Sequence, residues 1–349
     1  MPASAPVVLA IDAMSGDHGL KTTVDAALLV LGEQETLQIK LVGDSAQLQA
    51  ALDARRVADR RVLTRLHLVH AREVVGMDEL PSKALRNKKD SSMRVAINLV
   101  RDGAARAAVS AGNTGALMAT AKFVLKTLPG IDRPAIISLM PSASGHVHML
   151  DLGANPECTA EQLFQFAIMG SALLTAAHGI AKPRVALLNI GEEEIKGNET
   201  IKQAAQLLQA SHLRYVGYVE ANGIFLRDDI DLVVCDGFSG NIALKAGEGV
   251  AKLIGQFMRE AFNRTALTRA AAVAAMPVLK ALRRRMDPGN YNGATFIGLN
   301  GIVIKSHGSA DARAFAAAIR VALREVEHDV PQRITHLLAS ALPQVQSAG

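Results

Sequence analysis

The chain has 349 residues, of which 49% are hydrophobic and 20% are charged, a balance that excludes an intrinsically disordered protein. Tryptophan is absent and aromatic residues make up only 3%, so we expect no base-stacking platform and no nucleic-acid partner. The net charge of +5 suits an acidic partner, an anionic substrate or an anionic membrane face without choosing among them.

The N-terminal segment predicts neither export nor membrane insertion. It reads MPASAPVVLAID and lacks both the basic start and the apolar core of a signal peptide. No run approaches the roughly 18 uninterrupted apolar residues of a membrane-spanning helix. Cys158 and Cys235 are predicted to be small buried hydrophobic residues rather than a disulfide framework. We therefore expect a soluble protein of a reducing cytoplasm.

Apolar runs of strand length alternate with helical patterns along the chain. The strand-like runs are PVVLAID, LQIKLVG, LHLVHA, AAVSAG, PAIISLMP, VHMLDLG, RVALLNIG, LRYVGYVE and IDLVVCDG, and two short strands follow in ATFIGLNGIVIKSHG. Helices are expected to begin near Leu20, Ser45, Ser91, Asn113, Thr159, Lys196 and Ser239. This alternation predicts a three-layer α/β/α fold with a mainly parallel sheet. No flexible linker interrupts it, so we expect residues 1–349 to form a single domain.

Six of these segments end in glycine beside a small polar or ionisable residue. The endings are AIDAMSGDHG, VSAGNTGA, LDLGANPE, LNIGEEEIKGNE, VCDGFSGN and IKSHGS. Open α/β sheets bind ligands at the carboxyl ends of strands, where the N termini of helices favour anions. Any one ending is also an ordinary turn, but the set predicts one shared cleft for an oxyanion or phosphate.

Motifs of several other enzyme classes are missing. The chain contains no GxxxxGK[ST], no GxSxG, no CxxC and no HExxH, and no GxGxxG follows the first strand. The acidic residues Glu192, Glu193, Glu194 and Glu199 indicate either a divalent-metal site or, as the favoured alternative, a solvated helix start. We therefore predict neither a metal nor a cofactor.

The motifs, taken in order, resemble those of the bacterial phosphate acyltransferase family, PlsX. From about Val7 to Ala312 they read IDAMSGDHG, SSMRVAINLV, SAGNTGALMA, GIDRPAI, LDLGAN, AIMGS, LNIGEEEIKGNE, VVCDGFSGN and YNGATFIGLNGIVIKSHGSADA. Ser15 stands where the family usually has glycine, and Gly19 where it often has alanine. The resemblance implies an isopropylmalate-dehydrogenase-like fold, shared with phosphate acetyltransferases, and a homodimer.

The resemblance also implies a reaction. A fatty acyl group would pass reversibly from acyl carrier protein to inorganic phosphate, giving an acyl phosphate for membrane phospholipid synthesis. The implied partners are acyl carrier protein, the membrane surface at the inner face of the cell membrane, and the membrane-bound acyl-phosphate:glycerol-3-phosphate acyltransferase. Alternatives are a phosphate acetyl- or butyryltransferase that uses acyl-coenzyme A, a hydroxyacid dehydrogenase on this fold, or a non-catalytic basic scaffold.

Such a reaction needs no strong general base, because phosphate is already a competent nucleophile. The protein must hold phosphate beside a thioester and stabilise the tetrahedral oxyanion. The predicted catalytic residues are Lys196, His18, Asp12 and His307. The predicted phosphate-binding residues are Gly16, Asp17, Gly112, Asn113, Thr114, Gly153, Asn155, Asp236, Gly237, Gly240 and Asn241.

Purely structural roles remain open as alternatives for these residues. Lys196 is also compatible with an ordinary lysine at a helix start, and His18 and His307 with turn caps. Asp12 is compatible with a structural turn acid, and Asn113 with a helix N-cap.

The segment 239–286 predicts an amphipathic helix and then a helical hairpin, at about 250–286. Ten uncharged residues, Ala270 to Leu279, are flanked by Arg264, Arg269, Lys280, Arg283, Arg284 and Arg285. Pro277 is expected to break the helix. An apolar tip with basic flanks suits a membrane interface, with contacts predicted at Met276, Val278, Leu279 and Leu282. A dimer contact or a surface for acyl carrier protein are the alternatives.

Overall fold

A computed structural model describes residues 6–57, 59–286 and 288–345. The strands are β1 (Val7–Asp12), β2 (Leu37–Gly43), β3 (Leu66–His70), β4 (Ala107–Ser110), β5 (Ala135–Ser142), β6 (Gly145–Leu150), β7 (Arg184–Leu188), β8 (Arg214–Val219), β9 (Leu232–Val234), β10 (Ala294–Ile297) and β11 (Ile302–Lys305). All of them belong to one sheet. Every strand-like run of the sequence therefore forms a strand.

The helices lie between these strands and after them. They are α1 (Gly19–Glu33), α2 (Ser45–Asp53), α3 (Pro81–Asn87), α4 (Ser92–Arg101), α5 (Thr114–Leu125), α6 (Ala160–His178), α7 (Glu199–Gln209), α8 (Gly223–Leu226), α9 (Gly237–Asn263), α10 (Ala266–Ala274), α11 (Met276–Met286), α12 (Ala312–Glu327) and α13 (Val330–Val345). Two 3₁₀ helices span Arg60–Arg65 and Pro288–Tyr291.

The strand order is β3-β2-β1-β4-β11-β10-β5-β6-β9-β7-β8. Neighbours from β3 to β11 are parallel, and so are neighbours from β6 to β8. Between these blocks, the pairs β11–β10, β10–β5 and β5–β6 are antiparallel. Because the direction reverses three times, the two parallel blocks point in opposite directions. We call the rim where β1, β4 and β11 end the first rim, and the rim where β6, β9 and β7 end the second rim.

Helices cover both faces of the sheet. In β1, Leu9 and Ile11 pack with α1 and α12, whereas Ala10 packs into the cluster of α4 and α5 on the other face. In the second block, α6, α7 and α13 cover one face and the start of α9 the other. Strands buried on both faces read as continuous apolar runs, as β4 and β9 do. The predicted three-layer α/β/α fold is confirmed.

Two local expectations differ from the structure. The helix expected near Lys196 begins at Glu199, because the Asn198 side chain accepts the N–H of Ile201 and caps the helix there. The helix α3, with Pro81 in its first turn, was not expected from the sequence. Its seven residues are too few to show a clear apolar period.

The segment after β9 forms three helices. Helix α9 begins at the second rim with Asp236 as its N-cap, and its residues Lys245 and Lys252 lie near His307 at the first rim. The helical segment is interrupted at 264–265, where Thr265 caps α10, and again at Ala275, two residues before Pro277. Within the described residues, no helix is both long enough and apolar enough to cross a bilayer. It stays a prediction that segment 250–286 is an insertion in a single domain.

Candidate active site

The predicted site residues separate into two groups. Those at the first rim are Asp12, Gly16, Asp17, His18, Gly112, Asn113, Thr114 and His307; those at the second rim are Gly153, Asn155, Lys196, Asp236, Gly237, Gly240 and Asn241. The two groups follow strands of opposite direction, because the strand direction reverses between β11 and β6. Helix α9 connects them, with Asp236 at the second rim and Lys245 close enough to act on His307 at the first. The one shared cleft stays a prediction.

Asp12 is the buried centre of the first rim. Its Oδ2 accepts a hydrogen bond from the Ser110 hydroxyl at 2.6 Å, and its Oδ1 is enclosed without a hydrogen bond of ordinary geometry. The Ser15 hydroxyl donates to the Asp12 carbonyl at 3.1 Å and accepts the N–H of Ala111 at 3.0 Å. Burial raises the pKa of Asp12, and hydrogen bonds from nearby serines, first Ser110 and then Ser92, oppose that rise. Asp12 thus joins the ends of β1 and β4 from inside.

Lys305, which sequence reasoning missed, lies in the same place. Its ammonium donates to the carbonyl of Ala111 at 3.2 Å and to the carbonyl of Ser306. Burial lowers the pKa of Lys305 to about 8, although the carboxylates of Asp12 and Asp17 favour the charged form. The signal was present in IKSHGS, since a lysine that ends an apolar strand is unusual.

Tight backbone contacts shape the first rim. Gly16 has φ +84°, and a Cβ there would lie 3.0 Å from the carbonyl oxygen of Gly308. The Asp17 N–H donates to that same oxygen at 2.8 Å. A Cβ on Gly112 would meet the Met93 side chain at 2.6 Å. The loops after β1 and β11 therefore touch, and glycine is required for this approach at Gly16.

The two histidines lie at the solvent side of the first rim. The His307 N–H donates to Asn292 Oδ1 at 2.8 Å, and its Nδ1 lies 2.9 Å from the Ser309 hydroxyl. Partial burial, then the positive charge of Lys245, lowers the pKa of His307. His18 immediately precedes α1 and makes no side-chain capping bond. Both imidazoles are exposed, so a ligand at this rim could reach them.

The Asn113 side chain is committed to structure. Its Oδ1 accepts the N–H of Ala116 at 2.9 Å and caps α5, while its Nδ2 donates to the carbonyls of Met77 at 2.7 Å and Glu79 at 3.2 Å. These bonds support the N-cap alternative for its side chain. Thr114 is exposed at the start of α5, where backbone N–H groups are free of helical partners.

At the second rim, a buried carboxylate organises the strand-end loop. Asp151 accepts the N–H groups of Ile136 at 2.9 Å, Ala154 at 3.1 Å and Asn155 at 2.7 Å, and the Asn155 amide at 3.0 Å. Burial raises the pKa of Asp151, and the backbone N–H groups oppose the rise. Asn155 is 4% exposed and also donates to the Pro134 carbonyl, so its side-chain amide holds the loop. Its role in phosphate binding stays a prediction. Asp151 itself was not predicted.

Helix α9 begins pressed against this loop. A Cβ on Gly240 would lie 1.9 Å from the Asp151 carbonyl oxygen, and one on Gly237 would lie 2.8 Å from the Asn155 carbonyl oxygen. The Asp236 carboxylate caps the helix, accepting the Ser239 N–H at 2.8 Å and hydroxyl at 2.9 Å. These three predicted residues form scaffolding for the loop and the helix start.

Three predicted residues of the second rim face solvent. Gly153 and Asn241 are exposed, and a Cβ on Gly153 would lie 3.5 Å from the Asn241 side chain. Lys196 is exposed in the loop after β7, where its N–H donates to the Glu193 carbonyl at 3.0 Å. Glu192, in the same loop, pairs with Arg227 at 3.1 Å. The described part of the chain brings together no group of three or more His, Cys, Asp or Glu suited to a metal ion.

Comparison with known proteins gives concordant relatives. The family model described as "Fatty acid synthesis protein" matches residues 7–333. The phosphate acyltransferase of Methylococcus capsulatus is 58% identical over 326 residues, which are 93% of this chain and 95% of that protein. The phosphate acyltransferase of Nitrosococcus oceani is 56% identical over 340 residues, 97% of this chain and 99% of that protein.

Solved structures share the fold at much lower identity. A phosphotransacetylase from Streptococcus pyogenes superposes with a TM-score of 0.62 at 17% identity, over 93% of this chain and 95% of that one. The EutD phosphotransacetylase from Staphylococcus aureus gives 0.59 at 16% identity, over 92% and 94%. These similarities identify the same arrangement of sheet and helices.

Proposed function

We propose that the chain is a phosphate acyltransferase acting on fatty acyl groups, because it belongs to the family described as "Fatty acid synthesis protein". The acyl donor is acyl carrier protein, the acceptor is inorganic phosphate, and the acyl phosphate formed serves membrane phospholipid synthesis. Relatives of 54–58% identity, all named phosphate acyltransferase, carry this assignment. The likeness to phosphotransacetylases concerns the fold alone, so it does not favour coenzyme A as the carrier.

We place the phosphate at the first rim. The helices α1 and α5 begin there, and their free N–H groups and positive dipole ends favour an anion. Lys305 supplies a fixed cation, while Lys245 and Lys252 of α9 add positive charge beside His307. Oriented donors of this kind can hold phosphate and stabilise an oxyanion on the neighbouring acyl carbon.

Lys196 remains a predicted catalytic residue with a constraint on how it acts. It follows β7, which runs opposite to the strands that carry Asp12 and His307, so it approaches the site from the second rim. A contact between two copies would bring Lys196 of one copy to the first rim of the other. We therefore connect its role to the homodimer, which is itself a proposal.

An exposed apolar surface along α9, α10 and α11 supports two contacts outside the chain. In α9, Val250, Leu253, Ile254 and Phe257 recur at helical spacing and are 44–57% exposed. We assign this stripe to the homodimer, because a regular apolar stripe at one helix face suits a second helix.

Beyond the stripe, we assign α10 and α11 to the inner face of the cell membrane. Val273 and Val278 are each 70% exposed, and the predicted contact residues Met276 and Leu282 are 40% and 41% exposed. Leu279, the fourth predicted contact residue, is less exposed than these and is half-buried. Apolar side chains next to basic residues suit an anionic bilayer, where the membrane-bound acyl-phosphate:glycerol-3-phosphate acyltransferase would receive the product.

The decisive experiment offers the protein two acyl donors. Palmitoyl–acyl carrier protein and palmitoyl-coenzyme A are each incubated with labelled phosphate, and the products are searched for labelled acyl phosphate. We expect product from the carrier-protein thioester at a much higher kcat/KM. Efficient transfer from coenzyme A alone would support the alternative of a coenzyme-dependent phosphate acyltransferase, and no acyl phosphate from either donor would refute both.

A further inference from the structure

We propose that Lys305 is the proton donor to the sulfur atom that leaves during acyl transfer, an inference that rests on the proposed acyltransferase function. None of the residues singled out from the sequence had been assigned to protonate the leaving thiolate. Lys305 lies at the end of β11, next to the ends of β4 and β1, where we place the phosphate.

The position of the ammonium group is fixed by its hydrogen bonds. It donates to the carbonyl of Ala111, 194 residues away in sequence, and to the carbonyl of Ser306. A lysine ammonium carries three protons, so these two bonds leave one proton to point at a ligand. The residue is half-buried, so the protein holds it in place while part of its surface stays open to solvent. Lys196, by contrast, is exposed in a loop.

The charges around Lys305 give it a pKa that suits a group that donates a proton and then regains it. Asp12 and Asp17 favour its protonated form, whereas burial and Lys245 disfavour it. These effects leave the pKa of Lys305 at about 8, close to the value of about 8.5 for a cysteine thiol. Proton transfer between an ammonium and a thiolate of similar pKa is close to balanced, which is the favourable case for general acid catalysis.

The step balances without any further reactant. An oxygen of hydrogen phosphate attacks the carbonyl carbon of the thioester, and the new C–O bond gives a tetrahedral oxyanion. As the oxyanion collapses, the C–S bond breaks and the sulfur takes a proton from Lys305. The neutral amine then takes the proton that the attacking phosphate carried. The products are acyl phosphate and a free thiol, and Lys305 is again an ammonium.

The test varies the leaving group rather than the protein alone. Lys305→Met removes the proton donor at similar length, and Lys305→Arg keeps a charge that does not titrate near neutral pH. Each variant is assayed with an alkyl thioester, which is either acyl–acyl carrier protein or acyl-pantetheine. It is also assayed with an aryl thioester, whose thiolate needs no proton to leave. At saturating phosphate, we expect Lys305→Met to lose about 10²–10⁴-fold in kcat/KM for the alkyl thioester and less than about tenfold for the aryl thioester.

The pH profile is a second readout. In the parent, kcat/KM with the alkyl thioester should fall as the pH rises through about 8, because the donor is protonated only below its pKa. Lys305→Arg should lose this alkaline limb and remain slow, while its saturation by phosphate stays near that of the parent. An unchanged alkaline limb in Lys305→Met would assign the titration to another group.

Controls separate this inference from folding and from the proposed function. The ratio of rates with the two thioesters is taken within each variant, so the folded fraction cancels. Lys182→Met, at an exposed lysine before β7, should leave both rates unchanged. Equal losses of Lys305→Met on both thioesters, or a full alkyl rate in Lys305→Arg, would overturn the role of proton donor. If the parent itself makes no acyl phosphate, the proposed function fails instead.

Discussion

Replacing Gly240 by alanine tests whether the start of α9 is clamped on the second rim. A Cβ at this position would lie 1.9 Å from the Asp151 carbonyl oxygen, 2.9 Å from Cys235 Sγ and 3.0 Å from the Asp151 carbonyl carbon. Ordinary contact begins at 3.4 Å, so the helix and the loop would have to separate by roughly 1.5 Å. The nearest obstructing atom belongs to the backbone of Asp151, so no side-chain rotation can relieve the clash.

The magnitude follows from two opposing effects. Overpacking of this kind costs about 1–3 kcal/mol, and displacement of the loop would also weaken the hydrogen bonds that Asp151 accepts. Alanine gains about 1 kcal/mol over glycine inside a helix. The difference is about 0–2 kcal/mol, and weaker hydrogen bonds to Asp151 add to the loss, so we expect Gly240→Ala to lower the free energy of unfolding by about 1–2 kcal/mol.

The same helix offers a matched control. Gly249 is exposed in α9, and a Cβ there would meet no atom within 4 Å. Gly249→Ala should therefore raise the free energy of unfolding, by up to about 1 kcal/mol. Urea unfolding of both variants, followed by circular dichroism, measures the difference. If Gly240→Ala is as stable as Gly249→Ala, the close approach of α9 to Asp151 is not a feature of the folded protein.

Three further predictions concern side chains of the two rims and of α11. Asn113→Ala should lose activity together with about 1–2 kcal/mol of stability, since it removes the cap of α5. Asn113→Asp keeps the capping oxygen but loses the two bonds to the Met77 and Glu79 carbonyls, so it should recover only part of the stability in thermal unfolding. Lys196→Ala should lower turnover or raise the phosphate requirement by about tenfold, equivalent to about 1.4 kcal/mol of transition-state binding, and unchanged phosphate saturation with unchanged turnover would remove Lys196 from the reaction. Val278→Asp should weaken co-sedimentation with anionic liposomes at low salt while acyl phosphate production in solution persists; a monomeric, inactive variant would instead make this surface a dimer contact.

The strands and the layer architecture were determined by the sequence itself. Each strand is a short apolar run, and runs such as β4 and β9 carry no polar face because helices cover both sides. Helix starts at Ser91, Asn113 and Thr159 were also readable, because the capping side chain bonds to an N–H three residues later. Interactions of this range depend only on neighbouring residues, so they can be inferred without the fold.

The division of the site between two rims was decided only by the tertiary structure. Strand directions at the centre of the sheet follow from pairings such as Thr295 with Ile137, which lie far apart in sequence and leave no local periodic signal. Likewise, the polar contacts of Lys305 include Ala111, and those of Asp151 include Ile136, across strands rather than along them. The glycine-rich endings marked where strands stop. Which endings meet depends on long-range pairing, and so does the burial that lowers the pKa of Lys305.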